Sequence, residues 1–186
     1  MKLTGPVLLV ALLTTGCAAL NATRVDASVY PPGVFQLADT DEAVLSEASH
    51  LVGLRAARPT TPAQWALGMA DVEYVSGAFN THARWLGIDA LAQEQLLMAR
   101  DEERQALGIP RAAPSQAVLD ALLAVSHAGD ASALQTALSN PVFTAGPQAT
   151  LAHLNNMPTF STMPYALADT NIAINRQNGR CYRIFC

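Results

Sequence analysis

Helix start and stop signals divide residues 39–178 into short segments, and they limit the fold more strongly than any other feature of this sequence. Thr61, Pro62 and Gln64 form a capping box with proline at the first helical position. Glycine or proline then follows each amphipathic segment and ends it. The pattern predicts a mainly α fold, a compact bundle of five to seven helices in a single domain over residues 39–186.

The same signals predict the bounds of individual helices. Asp39 is placed to cap the first helix, and Pro59 is placed to stop it. Similar caps and breakers follow along the chain at intervals of roughly one helix length. The predicted helices cover residues 40–57, 62–87, 89–108, 114–129, 130–139 and 147–156.

Two patterns within these helices predict how they pack. Apolar and small residues in the second helix recur at steps of three and four, which indicates a face packed against a partner helix. This stripe consists of Trp65, Met69, Val72, Ser76, Phe79, Ala83 and Leu86. In the third helix, the mixed charges of residues 100–105 are typical of an exposed helix surface, so we expect those side chains to face water.

The C-terminal region carries conflicting signals. Residues 171–175 alternate polar and apolar side chains and precede an Asn-Gly pair at 178–179, which is typical of a β-hairpin, whereas a helix over 164–175 is the competing prediction. Cys181 and Cys186 can form a disulfide only if the chain curls, because a straight strand would hold their Cα atoms about 16 Å apart. A small hairpin and a disulfide-closed loop both remain open.

The first seventeen residues have the layout of a bacterial export signal. Lys2 is followed by an apolar stretch over residues 7–13, which is far shorter than the ~20 residues of a membrane span. The next four residues, Thr14-Thr15-Gly16-Cys17, resemble the lipobox of bacterial lipoprotein precursors. The resemblance implies that residues 1–16 are a signal peptide and that Cys17 becomes lipidated.

That resemblance places the rest of the chain in the cell envelope. Residues 17–38 are then expected to form a lipidated tether, since the Pro31-Pro32-Gly33 stretch discourages regular structure. Ala18 after the cysteine, in place of aspartate, implies transfer to the outer membrane, facing the periplasm, if the cell is Gram-negative. In the alternative, a signal peptidase cuts near Ala19 and Cys17 is lost with the signal peptide.

Charge excludes one class of partner. The formal net charge is −4, and no run of five or more basic residues occurs anywhere in the chain. A protein that follows the phosphates of nucleic acid needs a positive surface, so we expect no nucleic-acid partner. The expected partners are the membrane, through the lipid on Cys17, and an envelope protein.

The sequence contains no recognisable motif for catalysis, metal binding or cofactor binding. The four histidines are His50, His82, His127 and His153. No two of them are four residues apart, the spacing by which two histidines on one helix bind zinc. Glu47 and His50 have the spacing found in di-iron bundles, but the second such pair that those sites need is missing. Because serine-nucleophile and phosphate-loop motifs are also absent, we predict no metal and no cofactor and favour a non-catalytic role.

The most chemically mixed segment lies at the end of the second helix. Residues 80–85 combine an amide, an imidazole, a guanidinium and an indole. The aromatic residues of this helix can line a ligand groove or a partner surface, although such residues more often belong to the core. The candidate recognition residues are Tyr74, Asn80, His82, Arg84 and Trp85.

Three hypotheses for function follow from these patterns. The first is a non-catalytic envelope lipoprotein that acts as an accessory, scaffold or protein-interaction module. The alternative is a periplasmic module that binds a small molecule in the cleft between the second and third helices. A second alternative is an envelope hydrolase, which would need a polar site assembled from several separate elements.

Overall fold

Seven α-helices make up most of residues 25–35 and 39–179, the part of the chain that the computed structural model describes. No residue of these two ranges lies in a β-strand, so the predicted mainly α fold is confirmed. The helices are α1 (Thr40–Val52), α2 (Pro62–Thr81), α3 (Ala90–Leu107), α4 (Ser115–Ser126), α5 (Ala131–Leu138), α6 (Pro147–Asn155) and α7 (Met163–Gln177).

Side-chain caps begin four of the helices where the sequence predicted them. Asp39, Thr61, Asp89 and Asp130 accept hydrogen bonds from backbone N–H groups in the first turns of α1, α2, α3 and α5. Each cap satisfies a donor that has no partner inside its own helix. Gly108 ends α3 with φ +68°, a left-handed conformation that glycine adopts without strain.

Two predicted helix ends are wrong. α1 ends at Val52 and not at residue 57, because Gly53 is extended, with ψ 178°. α2 ends at Thr81, after which His82 leaves the helical conformation and Ala83–Trp85 form a single 3₁₀ turn. This early end allows the side chains that follow Thr81 to reach α1, as described below.

α2 lies at the centre of the bundle. It packs against α1, α3, α4 and α6, and fourteen of its twenty residues are buried. The predicted stripe is therefore only part of its buried surface, because a helix covered on several sides has no wide polar face. Ala83 and Leu86, the last two members of the stripe, are exposed because the helix ends before them.

Residues 171–175, for which the sequence allowed either a strand or a helix, belong to α7. Ala166, Leu167, Ala173 and Ile174 are buried and recur with helical spacing, and α7 packs against α1 and α3. The helix prediction is confirmed and the strand prediction is wrong for these residues. Polar and apolar side chains that alternate over five residues also fit the edge of a helix face, so the pattern alone did not decide.

α3 and α7 are antiparallel neighbours, and Glu102 of α3 caps the start of α7. Its carboxylate accepts hydrogen bonds from the Ser161 hydroxyl and from the backbone N–H groups of Thr162 and Met163, the latter two at 3.0 Å. Burial by itself would raise the pKa of Glu102, but these hydrogen bonds outweigh it and lower the pKa. The capping carboxylate therefore stays ionised at neutral pH and fixes the register of the two helices.

Residues 25–30 pack against the helices, although the sequence pattern placed them in the tether. Asp26 accepts hydrogen bonds from the backbone N–H and the hydroxyl of Ser115, at 2.8 and 2.7 Å, where α4 begins. Tyr30 is buried, and a Cβ built on Gly77 would lie 3.0 Å from the Asp26 carbonyl oxygen. This segment thus caps α4 and covers α2.

Several predictions concern residues outside the described ranges. They are the signal peptide over 1–16, the lipidation of Cys17, the first part of the tether, and the Cys181–Cys186 bridge. Among the described helices, none combines the length and the apolar character that crossing a membrane requires.

Candidate functional site

Four of the five candidate recognition residues surround one carboxylate, that of Asp41 in α1. The Tyr74 hydroxyl donates to Asp41 Oδ1 at 2.6 Å, and Trp85 Nε1 donates to Oδ2 at 2.8 Å. His82 Nδ1 lies 2.9 Å from Oδ2, and Arg84 Nε lies 3.3 Å from it. Asp41 itself is 5% exposed, so the cluster closes over a buried acceptor.

These partners account for most of the polar groups that the sequence offered for recognition. Tyr74 and Trp85 are buried, with 4% and 3% of their surface exposed. The Arg84 guanidinium forms an ion pair with Asp39 and lies 4.1 Å from the centre of the Trp85 ring. Asn80 donates to backbone carbonyls of α2 and α3. His82 and Arg84 keep 35% and 42% of their side chains in solvent.

The Asp41–His82 pair has the geometry of a carboxylate that orients a catalytic imidazole. Such a pair becomes a hydrolytic site when the imidazole also reaches a nucleophile. Within the described residues, His82 makes no hydrogen bond to a serine, threonine or cysteine side chain. The same part of the chain holds no group of three or more His, Cys, Asp or Glu side chains that could bind a metal ion. The geometry therefore supports an anchor between α1 and the turn after α2.

A second polar cluster lies inside the bundle, where the sequence did not predict one. Glu73 of α2 pairs with Arg100 and Arg104 of α3. Asp71 of α2 and Glu103 of α3 lie close enough to influence one another, and all five residues are buried. The prediction that residues 100–105 form an exposed surface is therefore wrong for Arg100, Glu103 and Arg104. α3 packs between α2 and α7, so charged residues on its inner side must find partners inside the protein.

Arg104 is the best-satisfied member of this cluster. Its Nε and Nη2 donate to the two carboxylate oxygens of Glu73 at 2.9 and 2.6 Å. Its Nη1 donates to the carbonyl oxygens of Arg111 and Ala113 at 2.7 and 2.9 Å. The remaining Nη2 proton is directed to Ser115 Oγ at 3.3 Å. All five guanidinium donors thus have acceptors, which is what a buried cation requires.

Ser115 joins this ion pair to the N-terminal segment. Its hydroxyl oxygen accepts from Arg100 at 3.2 Å and from Arg104, and it donates to Asp26 at 2.7 Å. Burial would raise the pKa of Asp26, but the two hydrogen bonds from Ser115 lower it overall. One continuous network therefore links residues 25–30 to α2, α3 and α4.

Two carboxyl groups in the same region have few or no hydrogen-bond partners. Neither carboxyl oxygen of Glu103 has a partner among the described residues, and burial together with the charge of Glu73 raises its pKa well above the usual value. Asp71 accepts only from the Tyr30 hydroxyl, at 2.8 Å, and burial raises its pKa to about 8. A pKa of about 8 keeps Asp71 largely protonated in the folded protein at neutral pH.

One sequence signal indicates this cluster in retrospect. Asp71 and Glu73 interrupt an otherwise apolar and aromatic run in the most apolar part of α2. Acidic residues within a helix that is covered on several sides need cationic partners, and the next helix carries two arginines four residues apart, at 100 and 104. Only the α2–α3 contact shows that the two sets meet.

The place proposed for a small-molecule cleft, between α2 and α3, is closed by direct contacts. The Ser76 hydroxyl donates to the Leu96 carbonyl at 2.8 Å, and the Gln93 side chain donates to the Phe79 carbonyl at 2.7 Å. A groove of about 200 Å³ lies instead on the other side of α3, against α7. Gln95 lines this groove, and its buried Oε1 has no hydrogen-bond partner among the described residues.

Four large apolar side chains are exposed along the same two helices, and we call them the α3/α7 face: Leu91, Met98, Tyr165 and Ile172. Each pair of residues on one helix is separated by seven positions, so both members lie on the same side of it. The antiparallel register set by Glu102 puts Met98 at the same end as Tyr165. Leu91 and Ile172 line the groove at the other end. Their exposed fractions are 61%, 50%, 57% and 36% in sequence order.

Comparison with known proteins identifies no relative of this chain. No protein-family model, no curated protein and no solved structure matches the chain. The geometry therefore offers three features for a functional argument: the Asp41 anchor, the buried ionic network and the α3/α7 face.

Proposed function

We propose that the protein is a non-catalytic lipoprotein of the bacterial cell envelope that docks a partner protein on the α3/α7 face. The observation that carries this proposal is the exposure of four large apolar side chains along one pair of helices. Single exposed apolar residues are ordinary, but several of them on one face, rimmed by polar groups, are typical of interaction sites.

The surroundings of this face indicate the chemistry of the partner. Asp89 and Asp169 line the groove between the two helices, and Arg176 lies at one end of it. Asp169 is partly exposed and has no hydrogen bond or ion pair with any described residue, so its carboxylate is available to a ligand. A helical or extended segment that offers apolar anchors and basic side chains complements this surface.

The proposal places docking on α3 and α7 and not on the residues of the Asp41 anchor. Tyr74 and Trp85 are buried and already donate to Asp41, so a partner would have to break those hydrogen bonds to use them. The α3/α7 side chains pay no such penalty, because they are exposed before the partner binds.

Position-specific photocrosslinking in intact bacteria tests the docking face. With p-benzoylphenylalanine at Met98 or Tyr165, we expect a cross-linked product heavier than the protein alone. Leu91→Asp should lower the yield of the cross-link at Tyr165 about tenfold. The substitution removes one apolar anchor and places a charge inside the interface. The matched controls lie on α5, whose Gln135 and Ala133 are exposed: the photoreactive residue at Gln135, and the substitution Ala133→Asp. Equal products at Gln135, or no effect of Leu91→Asp, would contradict the proposal.

The lipid anchor is tested at Cys17. We expect the wild-type protein to sediment with the outer membrane and its mature N-terminus to carry acyl chains, whereas Cys17→Ser should move it to the soluble fraction. Acyl chains partition strongly into lipid, at about 0.8 kcal/mol for each buried methylene group. Cys181→Ser is the control, because it removes a thiol and leaves the lipobox-like segment unchanged. Sedimentation of Cys17→Ser together with an unmodified wild-type cysteine would disprove the anchor.

A further inference from the structure

We infer that residues 180–186 of this chain bind back into the groove between α3 and α7 and compete with the partner for the same face. The inference rests on the proposed function in one respect, since it assigns a built-in competitor to the docking face. The segment reads Arg-Cys-Tyr-Arg-Ile-Phe-Cys, with two arginines, three large apolar side chains and no acidic residue.

The described end of α7 lies beside the groove, because Arg176 in its last turn lines it. Gly179 has φ +64°, and its N–H donates to the Arg176 carbonyl at 3.1 Å. A left-handed glycine directly after a helix turns the chain back from the helix axis. The end of the helix is also held in place, because the Gln177 side chain donates to the Arg84 carbonyl and Asn178 donates to Glu42. The described chain thus ends at Gly179, three residues after Arg176, which lines the groove.

The segment is long enough to cover the groove. Asp169 and Arg176 mark its length on α7, and seven helical residues span about 10 Å. Seven extended residues reach roughly 23 Å, about twice that length. A loop closed between Cys181 and Cys186 would be shorter, but it would still begin at the end of the groove.

Charge and apolar character match on the two sides. The Asp89 and Asp169 carboxylates outnumber the single Arg176 guanidinium in the groove, and the segment adds Arg180 and Arg183. The exposed side chains of Leu91 and Ile172 offer apolar contacts to Tyr182, Ile184 or Phe185. Gln95 Oε1, which is buried and lacks a donor among the described residues, can accept from a backbone N–H or a guanidinium of the segment.

Covalent attachment favours this occupant over a separate chain. A segment joined to its site by a short linker has an effective concentration in the millimolar range, far above that of most free proteins. An external partner must therefore bind more tightly than the attached segment in order to displace it. Removal of residues 180–186 should then raise the apparent affinity of the face for its partner.

Photocrosslinking of the purified full-length protein tests the inference without a partner. With p-benzoylphenylalanine at Leu91, or at Ile172 as a second position, we expect a product of monomer mass in which that position is joined to the peptide of residues 180–186. Gln135 on α5 is the control position and should give no such product. Circular dichroism checks that each variant keeps its helical content.

Charge substitutions make the test specific to the groove. Arg180→Glu combined with Arg183→Glu should lower the yield about three- to tenfold, and adding Asp169→Arg should restore part of it. Products of dimer mass would assign the groove to a second copy and would overturn the inference, as would the absence of a product at both positions. If either of these results is obtained while the cross-link to a partner in bacteria persists, the inference fails and the proposed function stands. If the internal product forms but no partner is cross-linked in bacteria, binding of residues 180–186 to the groove stands and the proposed function fails.

Discussion

Replacing Arg104 with methionine should lower the free energy of unfolding by about 3–5 kcal/mol, the largest effect that we expect from a single substitution in this protein. Methionine fills a similar volume but donates no hydrogen bond. Glu73 would then keep a buried negative charge without its partner, and the carbonyl oxygens of Arg111 and Ala113 would lose their donors. Urea unfolding followed by circular dichroism measures the change.

Arg111→Met is the matched control, because the Arg111 side chain is 72% exposed and pairs with Asp101 on the surface. It should cost no more than about 1 kcal/mol. The double substitution Glu73→Met with Arg104→Met should recover part of the stability lost in Arg104→Met, since the uncompensated charge is gone. If Arg104→Met is no more destabilising than Arg111→Met, the buried ion pair does not have the role assigned to it.

Asp71→Asn should remove much of the dependence of stability on pH between about pH 4 and pH 8. The folded-state pKa of Asp71 is about 8, and the unfolded-state value is about 4. Between pH 4 and pH 8 the Asp71 carboxyl group is protonated in the folded protein but ionised in the unfolded chain. The contribution of this proton to the free energy of unfolding is therefore complete below pH 4 and is lost as the pH rises toward 8. The wild-type protein should therefore lose up to about 1.4 kcal/mol per pH unit from this group.

The asparagine variant keeps the shape and the neutrality of the protonated carboxyl group. Its Oδ1 can still accept from the Tyr30 hydroxyl. We expect the variant to match the wild type near pH 4 and to be more stable at pH 8, in urea unfolding at a series of pH values. Glu103→Gln should act in the same direction, because burial also raises the pKa of Glu103. Asp120→Asn makes the same chemical change at an exposed position and should leave the slope unaltered, and an unaltered slope in Asp71→Asn would contradict the prediction.

Local signals were sufficient for the helix starts. Asp39, Thr61, Asp89 and Asp130 could be recognised as caps because a capping side chain bonds to N–H groups only two or three residues away. Helix ends were less predictable. Whether α2 ends at Thr81 or continues toward Gly87 depends on Asp41, which lies in another helix and attracts His82 and Trp85.

Long-range contacts explain what the sequence pattern missed. Residues 25–30 have no periodicity of their own, and they are ordered by Ser115 and Gln116 of α4. The charges at 100–105 have the spacing of surface ion pairs, and no local feature separates the buried Arg104 from the half-buried Asp101. Burial of such a charge depends on a partner that is distant in sequence, and Glu73 is thirty-one residues away.

The candidate site likewise combines a feature that the sequence could indicate with contacts that it could not. The segment over residues 80–85 could be identified from its mixed chemistry, but its contacts with Asp41 could not, because that carboxylate lies about forty residues earlier. The α3/α7 face has no motif in the sequence; it exists because α7 packs antiparallel to α3 and leaves one side of each helix uncovered. Helical class and helix starts thus follow from interactions within a few residues, whereas burial, ion pairing and exposed faces depend on which helices become neighbours.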